Sequence, residues 1–162
     1  LAQMKDSGIL DAMAKRGILL HGPGHSWPYF IPTEKYFKDH PDWFGMRDGT
    51  RRPHGGEWPA ANFCLSNPGA AEAFLANVEA FLQAHPELQR PDLLSIDGGR
   101  PCQCDACGER PAEDWMVDLF NRLSDRLDID LLSAAREKLE LNKEKYPADR
   151  VRGDARKYSD YK

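Results

Sequence analysis

Residues 93–107, LLSIDGGRPCQCDAC, combine a short apolar run, an acidic residue before two glycines, and three closely spaced cysteines. An uninterrupted apolar run of this length is typical of a buried strand in a parallel sheet. Similar apolar runs occupy residues 18–20 and 63–65, and segments with helical periodicity lie between the runs. This alternation of strand and helix predicts an α/β fold with parallel strands.

The helical segments are recognised by apolar residues that recur every three or four positions. The clearest is residues 69–84, which would place an apolar stripe on one face and which ends before Pro86. A shorter helix is expected at residues 33–37, with Thr33 as a possible N-cap. The remaining helices are predicted at residues 3–15, at residues 113–127 and at residues 128–145.

Length and composition exclude several classes of protein. The chain has 162 residues, whereas a complete (β/α)8 barrel typically needs about 250 residues. No apolar run approaches the ~18 residues of a membrane-spanning helix, so no membrane span is expected. The net charge is -4 and no basic cluster precedes residue 120, which argues against a nucleic-acid partner. The chain starts at Leu1, so either a leader has been removed or the sequence is a piece of a longer protein.

The four cysteines allow three interpretations. Cys102, Cys104 and Cys107 could bind a structural zinc ion from one loop, with Cys64 as the fourth ligand. If the protein is exported, the same residues could form disulfides. Cys104 and Cys107 also have the Cys-x-x-Cys spacing of thiol-redox proteins, although this pair does not directly follow a strand.

Polar and aromatic residues follow each predicted strand. His25 and Trp27 come after the first run, Asn67 after the second, and Asp97 and Arg100 after the third. Because active groups collect at the carboxyl ends of parallel strands, these residues are expected to converge. A tight turn would equally explain the glycine-rich loops, and tryptophans often serve only in packing.

The motifs occur in a characteristic order. They are GHSW at residues 24–27, HPDWF at 40–44, RDG at 47–49, FCLSNP at 63–68, and Asp97-Gly98 followed by the cysteine triplet. In this order they resemble a bacterial family of long-uncharacterised domains often found after an α-glucuronidase-type amino-terminal domain. Glycoside hydrolase family 163, whose members are endo-β-N-acetylglucosaminidases acting on complex N-glycans, belongs with that family.

The resemblance covers roughly residues 8–127 and implies a (β/α)8-type barrel in a secreted or periplasmic, glycan-degrading setting. It predicts a partial barrel domain at residues 1–127, with parts of the barrel absent. A C-terminal helix and basic tail would occupy residues 128–162. The implied substrate is an N-acetylglucosamine-containing or acidic glycan.

The resemblance also suggests roles for individual residues. Asp97 would act as an acid/base or orient the substrate. The expected sugar-binding residues are His25, Trp27, Asn67 and Arg100. The alternative function is a non-catalytic glycan-binding or structural module stabilised by zinc on the four cysteines, and a thiol-redox protein is a third hypothesis.

Overall fold

The computed structural model describes residues 2–20, 22, 24–54, 62–88, 91–95, 99–147 and 152–153. The chain divides into two compact units, Leu1–Phe120 and Asn121–Lys162. The predicted domain boundary between residues 127 and 128 lies a few residues beyond this division. The division of function between the two predicted domains stays a prediction.

The first unit is mainly helical. Its elements include one short antiparallel hairpin and a 3-10 turn at Pro41–Trp43. Helix α7 begins in this unit and continues into the second. The elements are α1 (Ala2–Asp6), α2 (Ile9–Ala14), α3 (Trp27–Phe30), α4 (Thr33–Tyr36), β1 (Met46–Arg47), β2 (Thr50–Arg51), α5 (Pro68–Ala84), α6 (Asp105–Gly108) and α7 (Ala112–Arg126).

Helix α5 is the structural centre of the first unit and confirms the helix predicted at residues 69–84. Its start is defined locally, because Asn67 Oδ1 accepts a 3.0 Å hydrogen bond from the Ala70 amide and Pro68 occupies the first turn. Apolar side chains at helical spacing then bury one face of the helix. The buried residues are Ala70, Ala71, Phe74, Leu75 and Val78.

The core of this unit is a group of aromatic side chains packed on α5. The Trp27 ring lies 4.9 Å from Phe63 and 5.8 Å from Phe74, centre to centre, and Phe63 lies 5.2 Å from Phe74. These separations are typical of stabilising aromatic pairs. Helix α3, which carries Trp27, and the bridge residue Phe63 thereby pack on α5 without a sheet between them.

The predicted α/β fold with parallel strands, and with it the partial (β/α)8 barrel, is wrong. Within the residues that the structure describes, the sheet consists of β1 and β2, which pair antiparallel with Met46 opposite Arg51. The predicted run 63–65 contributes an isolated antiparallel bridge between Phe63 and Phe44. Ile18 and Leu19 in the first predicted run are 50% and 45% exposed, so that run is not a buried strand.

The third predicted strand shows why the prediction failed. The carbonyls of Asp92 and Leu93 accept hydrogen bonds from the Ser26 hydroxyl (2.6 Å) and the Trp27 indole N–H (2.8 Å). The Leu94 carbonyl accepts from the Trp27 amide at 3.4 Å. The first residue of α3 and its N-cap therefore bond to these carbonyls in place of a neighbouring strand. A short apolar run does not reveal which partner its backbone will find.

Two local helix predictions also need correction. The helix predicted at residues 3–15 is divided into α1 and α2 at Gly8, whose φ of 70° is left-handed. Helix α4 forms as predicted, but Thr33 is its first residue and not its N-cap. The Thr33 hydroxyl instead accepts from the His54 amide at 3.0 Å.

The second unit contains the end of α7 and helix α8 (Leu131–Lys145). Asp128 adopts a φ of 53° between them, and the Asp130 carboxylate caps α8 by accepting from the Ser133 amide at 3.0 Å. Among the described residues, no helix has the length and apolar character needed to cross a membrane.

Candidate metal centre

The four cysteines meet at one place in the first unit. All four Sγ atoms lie within 4.8 Å of one another. The Sγ of Cys64 lies 3.6 Å from that of Cys104, 3.7 Å from that of Cys107 and 3.7 Å from that of Cys102. The residues predicted as metal ligands are therefore close enough to share one metal ion.

These separations can be compared with the geometry of a tetrahedral metal site. Zinc bonds sulfur at about 2.3 Å, so four sulfurs around it lie about 3.8 Å apart, since a tetrahedron's edge is about 1.63 times its centre-to-corner distance. The three distances from Cys64 agree closely with that value. A disulfide would need about 2.05 Å, and all four cysteines are free.

Local structure explains how distant residues reach this point. Cys64 follows the bridge residue Phe63, and its amide donates a 2.8 Å hydrogen bond to the Trp43 carbonyl. Cys104 is the N-cap of α6 and Cys107 lies three residues later in that helix. Side chains three apart on a helical turn lie on the same side, so both sulfurs can face Cys64.

The hairpin holds the remaining ligand, Cys102. The Gln103 amide donates to the Met46 carbonyl at 2.9 Å, and the Asp48 amide donates to Gln103 Oε1 at 2.8 Å. The Cys102 sulfur in turn accepts from the Met46 amide at 3.3 Å and from Arg51 Nη1 at 3.5 Å. Hydrogen bonds from N–H groups to sulfur favour the thiolate form.

Ser66 lies at the centre of the sulfur contacts. Its hydroxyl accepts from the Cys107 thiol at 3.0 Å, and it shares hydrogen bonds with Cys64 at 3.4 Å and with Cys104 at 3.6 Å. A hydroxyl can both donate and accept. Ser66 can therefore turn its hydrogen towards a thiolate once a thiol has lost its proton.

The thiols change each other's proton affinity. Hydrogen bonds from Cys102 and Cys107 lower the pKa of Cys64 far below its usual value, burial opposes this effect, and Ser66 and Arg51 add to it. Hydrogen bonds with Cys102 and Cys64, together with burial, raise the pKa of Cys107. The cluster therefore favours the thiolate at Cys64 and the thiol at Cys107.

A cavity of about 270 Å³ adjoins the cluster. Its walls are largely aromatic and apolar, with the side chains of Asn62, Ser95 and Glu113 as polar groups. The residues lining it are Trp27, Asn62, Phe63, Leu65, Ser95, Gly99, Pro101, Cys102, Cys107, Ala112, Glu113, Trp115 and Met116.

Trp115 lines this cavity and carries an unsatisfied hydrogen-bond donor. Its indole N–H is buried and has no hydrogen-bond partner among the described residues, which is unusual because buried polar groups are normally paired. The Arg110 guanidinium lies 3.8 Å from the centre of the Trp115 ring and forms an ion pair with Asp118.

Residues 7–130 match the family described as "Domain of unknown function (DUF4838)". The chain belongs to this family. No curated protein matches the chain significantly, and no solved structure does so either. The matched span includes all four cysteines and every residue that lines the cavity.

The structure separates the predicted sugar-site residues into different settings. Asp97 lies outside the described residues, although its neighbours Ser95 and Gly99 both line the cavity. His25 is exposed, has a left-handed φ of 54°, and hydrogen-bonds through Nδ1 to the Ser95 carbonyl at 2.7 Å. Its partner Ser95 precedes Asp97 by two residues in the chain. Arg100 is exposed.

Trp27 and Asn67 have clear structural roles. Trp27 lines the cavity but is 1% exposed, and its indole N–H is bonded to the Leu93 carbonyl. It therefore does not offer a free face on the surface. Asn67 caps α5 and donates a 2.7 Å hydrogen bond to the Asp42 carboxylate.

Sequence reasoning missed several residues around the sulfurs and the cavity. Arg51 and Ser66 contact the sulfurs, and Trp115 and Glu113 line the cavity. The dipeptide Asp48-Gly49 could have indicated the position of Arg51. Asp-Gly favours a two-residue hairpin turn, and that turn places Arg51 opposite Met46. No comparable signal marked Trp115, since its position in an amphipathic helix is also typical of a core residue.

Proposed function

We propose that this domain binds one zinc ion through Cys64, Cys102, Cys104 and Cys107, and that the ion has a structural role. The observation that carries the proposal is the agreement between the sulfur separations and the edge of a zinc–thiolate tetrahedron. Thiolate ligands suit zinc. A zinc ion with four protein ligands has no open position for substrate, so its function is to stabilise the fold.

Such an ion would connect two segments that are far apart in the chain. Cys64 belongs to the segment before α5, whereas the other three ligands lie in residues 102–107. Few apolar side chains are buried in the latter segment, where Cys102 is the buried residue. The metal would therefore supply the cohesion that a hydrophobic core supplies elsewhere in the unit.

Metal analysis of purified protein tests the proposal. We expect one zinc per chain by mass spectrometry of the native protein, and loss of that zinc in Cys102→Ser and Cys107→Ser. Asp105→Asn is the matched control, since it changes an exposed residue between ligands and keeps all four sulfurs. Protein refolded with equimolar zinc that remains metal-free would contradict the proposal, and tight binding of iron in its place would correct the metal's identity.

We further propose that the cavity beside this centre receives a glycan, in a secreted or periplasmic setting. The resemblance of the motif order to glycan-degrading domains supports this, as does the position of Ser95 and Gly99 on either side of the Asp97 segment. Trp115 adds an aromatic side chain to the lining, and an aromatic face suits the apolar face of a sugar ring. Glu113 adds a carboxylate among the lining residues, and glycosidases commonly use two carboxyl groups.

Binding and hydrolysis can be measured separately. Calorimetry with N-acetylglucosamine-containing oligosaccharides should detect binding that weakens in Trp115→Ala, which removes an aromatic side chain from the cavity lining. If the domain also hydrolyses glycans, Asp97→Asn and Glu113→Gln should lower turnover while the exposed control Asp105→Asn should not. Unchanged turnover in Asp97→Asn would remove its assigned role, and absence of any glycan binding by the zinc-loaded chain would refute this second function.

A further inference from the structure

The hairpin presents a cation to the cysteine cluster. Arg51 Nη1 donates a 2.8 Å hydrogen bond to the Phe44 carbonyl and lies 3.5 Å from the Cys102 sulfur. Phe44 is completely buried, so the carbonyl anchors the guanidinium at a rigid point of the core. Met46, the residue paired with Arg51 across the hairpin, donates its amide to the same sulfur at 3.3 Å.

The net charge of a metal-loaded centre explains why this contact would be stabilising. Four thiolates around a divalent ion carry a net charge of −2, because each cysteine loses its proton when it binds metal. Cys64 and Cys102 are buried, and a buried charge is costly unless it is paired and hydrogen-bonded. One guanidinium would halve the net charge of the loaded centre and, unlike an amine, it stays protonated throughout the accessible pH range.

The guanidinium also has a geometric effect. Arg51 contacts Phe44 and Cys102 at once, and Phe44 pairs with Phe63, the residue before Cys64. Arg51 therefore joins the segment next to Cys64 to the loop that carries the other three cysteines. A guanidinium in contact with a thiolate stabilises its charged form.

We propose that Arg51 is a positioning residue and counter-cation of the metal centre: it holds Cys102 in ligand geometry and strengthens binding of a divalent metal ion. This inference rests on the proposed metal-binding function. Residues that support metal ligands from outside typically contribute about 10- to 100-fold to metal affinity. Arg51→Met should lower zinc affinity by that factor.

The matched control is Arg52→Met, since Arg52 is the next residue and its side chain is exposed. Zinc affinity would be measured by competition with a chromogenic chelator at constant pH and salt. We expect Arg52→Met to bind zinc like the wild type. Arg51→Lys keeps the positive charge but not the planar guanidinium, and it should bind zinc more tightly than Arg51→Met.

Cobalt(II) provides a readout that a general loss of stability would not change. A hydrogen bond to a thiolate stabilises the sulfur lone pair, so its loss should shift the sulfur-to-cobalt charge-transfer band to lower energy in Arg51→Met. The band should stay in place in Arg52→Met. The spectra would be recorded at saturating cobalt, so that every variant is fully loaded and a difference in affinity does not affect the band.

The outcomes separate this inference from the proposal on which it depends. A wild-type chain that binds neither zinc nor cobalt overturns both. Wild-type binding with equal affinity and an equal spectrum in Arg51→Met overturns the role of Arg51 and leaves the metal centre standing. If Arg51→Met does not fold, Arg51→Lys is compared with the neutral Arg51→Gln: tighter binding by the lysine variant supports the counter-cation, and equal binding overturns it.

Discussion

Removing zinc from the proposed centre should open residues 99–111 while helix α5 stays folded. Ordering these 13 residues costs about 1 kcal/mol each in backbone entropy at the lower end of the usual range, hence more than about 10 kcal/mol in all. Against this cost, four hydrogen bonds tie the segment to the hairpin, each worth about 1 kcal/mol net. These bonds fall short of the entropy cost, so we expect the segment to open when the metal is removed.

Amide hydrogen exchange measures this opening directly. Free zinc buffered at about 1,000 times its dissociation constant stabilises the bound state by about 4.1 kcal/mol, a factor of about 1,000. The amides of Gln103 and Gly108, which donate to the carbonyls of Met46 and Cys104, should therefore lose about three orders of magnitude of protection when a chelator removes the metal.

Helix α5 supplies the internal control for that experiment. The Ala71 amide donates to the Asn67 carbonyl within the aromatic core region, and its exchange should change little. Equal protection of the 99–111 segment with and without chelator would refute the reasoning. Simultaneous loss of protection at Ala71 would show that the metal holds the whole unit together and not only the cysteine loop.

Three further changes probe individual contacts. A Cβ at Gly69 would lie 2.8 Å from Trp43 Nε1, so Gly69→Ala should destabilise the fold by about 1–3 kcal/mol in urea titration; adding Trp43→Phe should restore part of it. Asn67→Ala removes the α5 cap and the bond to Asp42, and should cost about 1–2 kcal/mol; no change in the urea midpoint would contradict the capping role. Because neighbouring thiols raise the pKa of Cys107, zinc must displace its proton, so zinc affinity should rise with pH through neutrality and binding should acidify a weakly buffered solution. A pH-independent affinity would argue against that thiol as a ligand.

The sequence predicted the helices better than the strands. Helix α5 could be recognised because 17 residues repeat the 3.6-residue period and because Asn67-Pro68 marks its start. The apolar runs at 18–20 and 93–96 contain too few residues to show a period. Such runs describe hydrophobicity alone. Here one run lies about half exposed, while residues 93–94 of the other accept hydrogen bonds from Trp27 at the start of α3.

The chemical character of the site was present in the sequence, because Cys-x-Cys-x-x-Cys places three sulfurs on one loop whatever the fold around it. Cys64 could be named as a partner only as a hypothesis, and its proximity depends on the bridge between Phe44 and Phe63. Local spacing thus determined the type of donor atom and three of the four positions in the cysteine cluster. The tertiary structure alone decided the approach of Cys64, the contact of Arg51 with Cys102 and the cavity beside them. These features join segments about 40 to 50 residues apart in the chain, and such contacts form through long-range packing that no local pattern of residues encodes.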